Sequence, residues 1–127
     1  MIIDQKLLDD LSAQAKANPR LRQAYDLRTT PEDSSQRILN AVEPGTVLPV
    51  HRHRNSTETI VCLRGKVVQH YYDDNGSKVA SYVLAPYTAQ VAMSVPVGNG
   101  TPMNLSNVIP SFSRQRMVRM NHFQRMI

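Results

Sequence analysis

The sequence predicts a mainly β domain in which short antiparallel strands form a barrel or a sandwich, with a short helix at the N-terminus. Runs rich in β-branched and aromatic residues follow one another after residue 35, and turn residues separate them at short intervals. Apolar residues at helical spacing occur near the N-terminus. Short strands with frequent turns favour an antiparallel arrangement, because parallel strands need long crossover connections. The 127 residues suffice for one domain.

The N-terminal segment, residues 1–35, is predicted to be helical and then to form a loop. Asp4 is a candidate N-cap, and the pattern stops at Asn18-Pro19. Between them, four apolar residues repeat at helical spacing: Leu7, Leu8, Leu11 and Ala15. We expect this helix to lie against the outside of the barrel. Residues 19–28 predict a second short helical turn, and residues 29–35 are a loop by their turn residues.

The strands of the barrel are predicted between residues 36 and 98. They cover residues 36–42, 46–50, 58–63, 67–72, 78–84 and 90–95. The sequence Asp73-Asp74-Asn75-Gly76 predicts a hairpin turn, because asparagine and glycine accept positive φ. His70, Tyr71 and Tyr72 alternate between the two faces of their strand, so one face can line the cavity.

Residues 45–65 contain a candidate metal site. His51 and His53 are two apart on a predicted strand, so both imidazoles project to the same side. Glu58 follows a short polar connection, and its carboxylate reaches the same point if the next strand pairs back on the first. Two imidazoles and one carboxylate suit a divalent ion such as Fe(II), Mn, Ni or Zn, and they leave coordination positions open. The alternative is that the His-x-His pair is a solvated basic edge.

The spacing of these residues resembles the first signature motif of the cupins: Gly45, five residues, His51-x-His53, four residues, Glu58, six residues, Gly65. Two further segments extend the resemblance: Pro19-Arg20-Leu21-Arg22 and Glu43-Pro44-Gly45-Thr46. With them, residues 1–98 resemble the WbuC family of small cupin metalloproteins. This resemblance implies an antiparallel β-barrel of the double-stranded β-helix or jelly-roll type with the metal inside it.

Two classes of function are compatible with that resemblance. The first is a metalloenzyme that acts on a small polar substrate, with a sugar or sugar phosphate of polysaccharide metabolism as the substrate class that the family association implies. The second is a non-catalytic cupin module that binds a sugar or a metal. No Ser-His-Asp arrangement, phosphate-binding glycine loop or second convincing carboxylate is recognisable, so catalytic residues stay unknown. We also expect a homodimer.

Composition argues against nucleic-acid and membrane functions. The net charge is +5, but all ten acidic residues lie in residues 1–98, whereas residues 99–127 contain four arginines and no acid. No basic helix with interleaved aromatic residues is present. No apolar run is long enough to span a bilayer, and the N-terminus is not a signal peptide, so we expect a cytoplasmic protein. The single cysteine, Cys62, lies in an apolar run and is expected to be a buried, inert thiol.

Residues 99–127 form an atypical tail. The second cupin motif has a Pro-x-Gly turn and then a histidine; Pro96-Val97-Gly98 supplies the turn, but Thr101 stands where the histidine is due. From residue 99 the composition changes to four methionines, four arginines and no acid. We expect a tail of this kind to leave one sheet without its closing strands, with residues 105–112 as a poor edge strand because of Pro110. The site is then the open triad of His51, His53 and Glu58.

The genetic code suggests an origin for this tail. In the minus-one reading frame, Met103-Asn104 must encode Glu and Met117-Val118 must encode Gly, whatever synonymous codons are used. The unforced positions permit the string G-Q-W-H-T-Y-E-S-L-E from Gly98, with a histidine in the due place. Our hypothesis is that residues 99–127 are a frameshifted translation of an ordinary cupin C-terminus. The alternative is a divergent tail that has been selected.

Overall fold

The structure, a computed structural model, describes residues 1–46, 48, 50, 56–95 and 116–122, the last of these ranges as backbone. The described residues form one helix and seven strands. In chain order these are α1 (Gln5–Ala17), β1 (Arg22–Asp26), β2 (Gln36–Val42), β3 (Thr57–Arg64), β4 (Val67–Tyr72), β5 (Lys78–Leu84), β6 (Ala92–Val95) and β7 (Arg116–His122). The prediction of a mainly β domain with a short N-terminal helix is confirmed.

Helix α1 begins and ends where the sequence predicts. Its N-cap is Asp4, whose Oδ1 accepts a hydrogen bond from the Leu7 amide at 2.9 Å and so satisfies one of the free N–H groups of the first turn. At the other end Asn18 leaves the helical conformation, and its amide donates to the Gln14 carbonyl at 3.0 Å. Pro19 follows directly, and it cannot continue a helix.

The strands form two antiparallel sheets. The larger sheet has the order β1-β2-β7-β3-β6, and the smaller one is the hairpin of β4 and β5. The hairpin turn has the predicted sequence. There Asp73 Oδ1 accepts hydrogen bonds from the amides of Asn75 and Ser77 at 2.9 Å, and Gly76 has φ +81°. Every pairing is antiparallel, as the short turns require.

Alternation along β3 divides the core into two clusters. The interior cluster lies between the sheets and takes buried residues from both of them: Val42, Ile60, Cys62, Val67, Leu84 and Val95. The helix cluster lies on the other face of the larger sheet, where Leu8, Leu11 and Ala15 of α1 pack on Leu39 and Ala41 of β2. In β3, Ile60 and Cys62 belong to the interior cluster, whereas Val61 and Leu63 pack on the helix cluster. Helix α1 therefore covers the outside of the larger sheet, as predicted.

The prediction of a helical turn over residues 19–28 is wrong. Leu21 has φ +54°, a left-handed conformation that redirects the chain after the turn at residues 19–20. Strand β1 then pairs with β2 from Arg22 opposite Val42 to Asp26 opposite Ile38. Pairing with a neighbouring strand outweighs the weak helical preference of so short a segment.

The prediction of a strand over residues 46–50 is also wrong for its described positions, since residues 46, 48 and 50 are not in a strand. Thr46 uses its polar groups in a turn instead. Its amide donates to the Glu43 carbonyl at 3.2 Å, and its hydroxyl donates to the Arg20 carbonyl at 2.9 Å. Pro49 has no N–H to offer a strand partner.

The tail contributes a strand that the sequence did not predict. Strand β7, Arg116–His122, pairs with β2 on one side and β3 on the other, so it lies in the middle of the larger sheet. The expectation that the tail leaves this sheet without a closing strand is therefore wrong. Residues 118–121 alternate between apolar and polar, which is compatible with a strand, but the alternation is too short and the composition too basic to have predicted one. Residues 105–112 lie outside the described part of the chain.

Two strand boundaries differ from the prediction by a few residues. Strand β3 extends one residue further at each end than residues 58–63. Strand β6 begins at Ala92 instead of residue 90, because the Gln90 carbonyl accepts a hydrogen bond from the Ala85 amide at 2.9 Å and closes the preceding turn. The two predicted strands of the smaller sheet and β2 have the predicted bounds.

Candidate metal centre

Glu58 lies inside the barrel. It is the second residue of β3 and stands on the same face as Ile60 and Cys62 of the interior cluster. Its backbone lies between Val95 of β6 and Asn121 of β7. Only 1% of its surface is exposed. An acidic residue is rarely buried to this degree, because its charge loses hydration unless a cation or hydrogen-bond donors compensate for it.

The two other predicted ligands, His51 and His53, lie outside the described residues. Within the part of the chain that the structure describes, no three His, Cys, Asp or Glu side chains are grouped closely enough to hold a metal ion. The predicted triad therefore has one described member, and its convergence stays a prediction. The position of Glu58 fits a cation site, because a buried carboxylate among apolar side chains is the type of oxygen ligand that divalent ions bind.

A second polar group on the interior face comes from β4. Val67 belongs to the interior cluster and Tyr71 packs against it, so Gln69, between them at strand spacing, shares that face. Gln69 is 2% exposed, and its Nε2 donates to the His70 carbonyl at 3.4 Å. Sequence reasoning missed Gln69, although its alternation with Val67 and Tyr71 carried the signal.

The Tyr71 hydroxyl lies in the same interior environment. It donates to Met93 Sδ of β6 at 3.7 Å, and its ring meets the Tyr82 ring edge to face at a centroid distance of 5.7 Å. Burial, then Tyr82, then the negative charge of Glu58 raise the pKa of Tyr71 to about 12. The phenol is therefore protonated at neutral pH and remains a hydrogen-bond donor.

The other two residues of the aromatic run face away from the interior. His70 and Tyr72 occupy the opposite, outer face of β4, where their rings make an edge contact at 6.4 Å and His70 is nevertheless buried, at 6% exposed. His70 Nδ1 lies 2.6 Å from Ser81 Oγ on β5, a contact that the sequence analysis did not predict. Burial, followed by the charge of Lys78, lowers the pKa of His70, so its imidazole is neutral at physiological pH. Of the three residues, Tyr71 is the one that lines the interior.

Cys62 is buried in the interior cluster, as predicted for an inert thiol. Burial raises its pKa, and Sγ lies 3.4 Å from the Arg64 carbonyl, which suits a thiol donor. A thiol with a raised pKa holds little thiolate at neutral pH, so it is a poor nucleophile and a poor metal ligand. Cys62 therefore belongs to the packing of the barrel.

Comparison with solved structures identifies the fold. The capsular polysaccharide assembling protein CapF from Staphylococcus aureus matches with a TM-score of 0.59 and 19% identity, over 77% of this chain and 25% of that one. Oxalate oxidase in complex with the substrate analogue glycolate matches with a TM-score of 0.57 and 20% identity, over 83% and 52%. A cupin-2 domain from Rhodospirillum rubrum matches with a TM-score of 0.57 and 15% identity, over 84% and 62%. The fold is therefore that of the cupins.

The chain spans less than two thirds of the length of each of these proteins. A family model described as "Domain of unknown function (DUF6016)" matches residues 3–84. No curated protein matches the sequence. Among the described residues no helix is long and apolar enough to cross a membrane.

Proposed function

Because the chain belongs to the family described as Domain of unknown function (DUF6016) and has the cupin fold, we propose that it is a small metal-binding cupin. In this proposal His51, His53 and Glu58 hold one divalent cation inside the barrel, and the protein acts on a small polar molecule. The WbuC-like pattern of residues 1–98 supports this class of cupin.

The observation that carries the proposal is the burial of Glu58 on the interior face of β3. The motif requires a carboxylate on the strand that follows the two histidines, and Glu58 is that residue. A glutamate on the protein surface at this position could not bind a cation inside the barrel. A glutamate that is 1% exposed has lost most of its hydration, and in this proposal a cation would compensate for its charge.

The ligand set supports Fe, Mn, Ni or Zn, since imidazole suits all four and the carboxylate adds a hard oxygen donor. When bound by three protein groups, such an ion supplies a Lewis acid with open positions for substrate or water. Tyr71, half-buried and protonated at neutral pH, presents a donor hydroxyl on the same interior face. The apolar interior cluster next to it limits the access of bulk water.

For the substrate class we propose a sugar or a sugar phosphate of polysaccharide metabolism. The resemblance to the WbuC family supports this class. The fold likeness to CapF, a capsular polysaccharide assembling protein, agrees with it.

A second candidate function is a non-catalytic module that binds a sugar. Two side chains on the interior face of β4 favour it: the Gln69 amide does not titrate, and Tyr71 has a pKa of about 12. Groups of this kind recognise a ligand, but they do not exchange protons near neutral pH. Incubation of the metal-loaded protein with sugar nucleotides separates the two functions: product formation establishes an enzyme, and binding without product establishes the module.

The proposal includes a homodimer. Within the described sheets, β1 and β6 are the outer strands of the larger sheet, and the smaller sheet consists of two strands. Strand edges of this kind pair with a second chain at low cost. Light scattering coupled to size-exclusion chromatography measures the molar mass: twice that of the 14.3 kDa chain supports the dimer, and a single chain's mass excludes it.

Metal analysis tests the proposed site. We expect the purified protein, loaded with Fe(II), Mn, Ni or Zn and dialysed, to retain a stoichiometric amount of at least one of them by mass spectrometry. The His51→Ala and Glu58→Gln variants should lose it, because each removes one of three ligands. The matched control is His70→Gln, which removes a histidine from the outer face of β4 and should retain the metal. Stoichiometric metal in His51→Ala would show that the site is elsewhere.

A further inference from the structure

We propose that Gln69 and Tyr71 form the recognition wall of a ligand pocket beside Glu58, and that this wall binds neighbouring hydroxyl groups of an uncharged sugar or polyol. The inference deepens the proposed function and rests on it for the cation. It concerns residues that are described in the structure, so it is tested separately from His51 and His53.

The geometry of the smaller sheet places both side chains on one surface. Gln69 and Tyr71 are two residues apart on β4, and the face that they share carries Val67 of the interior cluster. Tyr82 lies opposite Gln69 in the register of the hairpin and contacts the Tyr71 ring. The Tyr71 hydroxyl reaches Met93 of β6, and Val95, two residues further along that strand, lies opposite Glu58 in the register of β3 and β6, so the carboxylate and the wall border the same space.

Gln69 supplies a hydrogen-bond acceptor that the described residues leave unused. Its Oε1 is buried and accepts no hydrogen bond from the described part of the chain. Its Nε2 makes one long bond, at 3.4 Å, to the carbonyl of the next residue. Leaving a buried acceptor unsatisfied lowers stability relative to an apolar side chain of the same shape. A glutamine at this position is therefore explained by a donor that comes from a ligand.

Tyr71 supplies the complementary donor. Its hydroxyl donates to a thioether, Met93 Sδ, at 3.7 Å, and a thioether sulfur is a weak acceptor. Exchange of this bond for one to a ligand oxygen costs little. The phenol remains protonated throughout the physiological range, so it donates and presents no negative charge.

A ligand that satisfies both groups must donate to Gln69 and accept from Tyr71. A hydroxyl group can do both, and neighbouring hydroxyls on a sugar or polyol do so at two points. Neither side chain of the wall carries a positive charge, so the wall does not select a phosphate or a carboxylate. The wall therefore recognises uncharged hydroxyl groups.

The first test needs no ligand. Replacement of Gln69 by leucine removes the buried polar group and keeps most of its volume. We expect the urea midpoint of Gln69→Leu to equal or exceed that of the parent protein, because a group kept for binding costs stability. The matched control is Thr46→Val, which removes a buried hydroxyl that donates to the Arg20 carbonyl at 2.9 Å and should lower the midpoint. A clear fall in the midpoint of Gln69→Leu would mean that Gln69 serves the fold, and the proposal would be overturned.

The second test measures binding. Isothermal titration calorimetry is the method, because it needs no reporter side chain and so applies equally to a variant that lacks Tyr71. The probes are glucose, galactose, mannose, rhamnose, N-acetylglucosamine and glycerol, with glucose 1-phosphate as an anionic comparison. We expect saturable binding of at least one neutral probe, and an affinity about tenfold weaker in Gln69→Leu and in Tyr71→Phe, which is the effect of losing one hydrogen bond. Tyr72→Phe, on the outer face of β4, should bind as the parent does.

The outcomes separate this inference from the proposed function. Absence of saturable binding by every neutral probe, or unchanged affinity in Gln69→Leu and Tyr71→Phe, overturns the recognition wall. The metal content of the same samples tests the cation site. A protein that binds a neutral sugar through the wall but retains no metal supports this inference and contradicts the proposed metal site.

Discussion

The Tyr71 phenol and the Glu58 carboxylate share the interior of the barrel, and the charge of Glu58 is one of the causes that raise the pKa of Tyr71 to about 12. Burial is the largest of those causes. One side chain comes from β4 of the smaller sheet and the other from β3 of the larger sheet. Both side chains therefore lie on the interior side of their sheets, next to the interior cluster.

This coupling predicts the pH dependence of stability. The pKa of Tyr71 is about 12 in the folded protein and 10.0 ordinarily, so the folded state holds this proton more tightly. The stability that Tyr71 contributes is therefore complete below pH 10 and is lost as the pH rises towards 12. We expect urea midpoints to fall more steeply over this range in the parent protein than in Tyr71→Phe. Tyr87→Phe, at a fully exposed tyrosine, should follow the parent curve. Parallel curves for the parent and Tyr71→Phe would contradict the shift.

The first glycine of the cupin-like motif should resist substitution. Gly45 has φ +92°, and a Cβ added there would lie 3.2 Å from Leu21 Cδ1. Gly76→Ala is the matched control, because Gly76 has φ +81° but no atom within 4 Å of an added Cβ. In both variants an alanine in the left-handed conformation lowers the free energy of unfolding by roughly 1 kcal/mol, and in Gly45→Ala the contact with Leu21 lowers it further. Urea unfolding should show a larger loss for Gly45→Ala, and equal losses would exclude the role of Leu21.

The N-cap of α1 should contribute measurably to stability. Asp4→Ala removes the acceptor of the Leu7 amide and should cost about 0.5–2 kcal/mol in the free energy of unfolding. Asp4→Asn should retain most of the stability, because an asparagine oxygen caps equally well. Asp10→Ala is the control for loss of an acidic residue, since the pair of Asp10 with Lys6 is exposed and should matter little. Thermal unfolding by circular dichroism checks all three variants.

The helix cluster should be sensitive to cavity formation. Leu39 of β2 packs against α1 and is 2% exposed, so Leu39→Ala should lower the free energy of unfolding by about 2–5 kcal/mol. Val79, on β5, is 55% exposed, and Val79→Ala should change it by less than about 0.5 kcal/mol. Urea titration monitored by circular dichroism compares the two. Similar effects of both substitutions would mean that α1 is not packed on β2 in solution.

The reading-frame hypothesis for residues 99–127 predicts a result at the level of the gene. Resequencing should reveal that a single-base change restores a frame that reads G-Q-W-H from Gly98 onwards, with a histidine where Thr101 stands. If no single-base change produces that string, the tail is a divergent sequence, and the candidate ligands remain His51, His53 and Glu58. Strand β7 is compatible with either outcome, because many different sequences can form a strand at the same place in a sheet.

Much of the fold follows from local pattern. The helix α1, the hairpin of β4 and β5, and strand β2 were predictable because capping residues, turn residues and alternation act within a few positions. Strands β1 and β7 were not predictable, because each exists through pairing with residues distant in sequence. For the site, spacing alone identified Glu58 as a candidate ligand. Gln69 was not predicted, because its alternation with Val67 and Tyr71 becomes informative only once the structure shows that their face lines the interior.

The sequence by itself determined the turn between β4 and β5, which residues begin and end α1, and which three residues form the candidate metal triad, since these depend on neighbours along the chain. Only the tertiary structure decided that Glu58 is buried, that Tyr71 and not His70 lines the interior, and that Gln69 stands beside them. The physical reason is that burial and charge coupling arise between side chains brought together from different strands. No local pattern specifies which strand will be the neighbour.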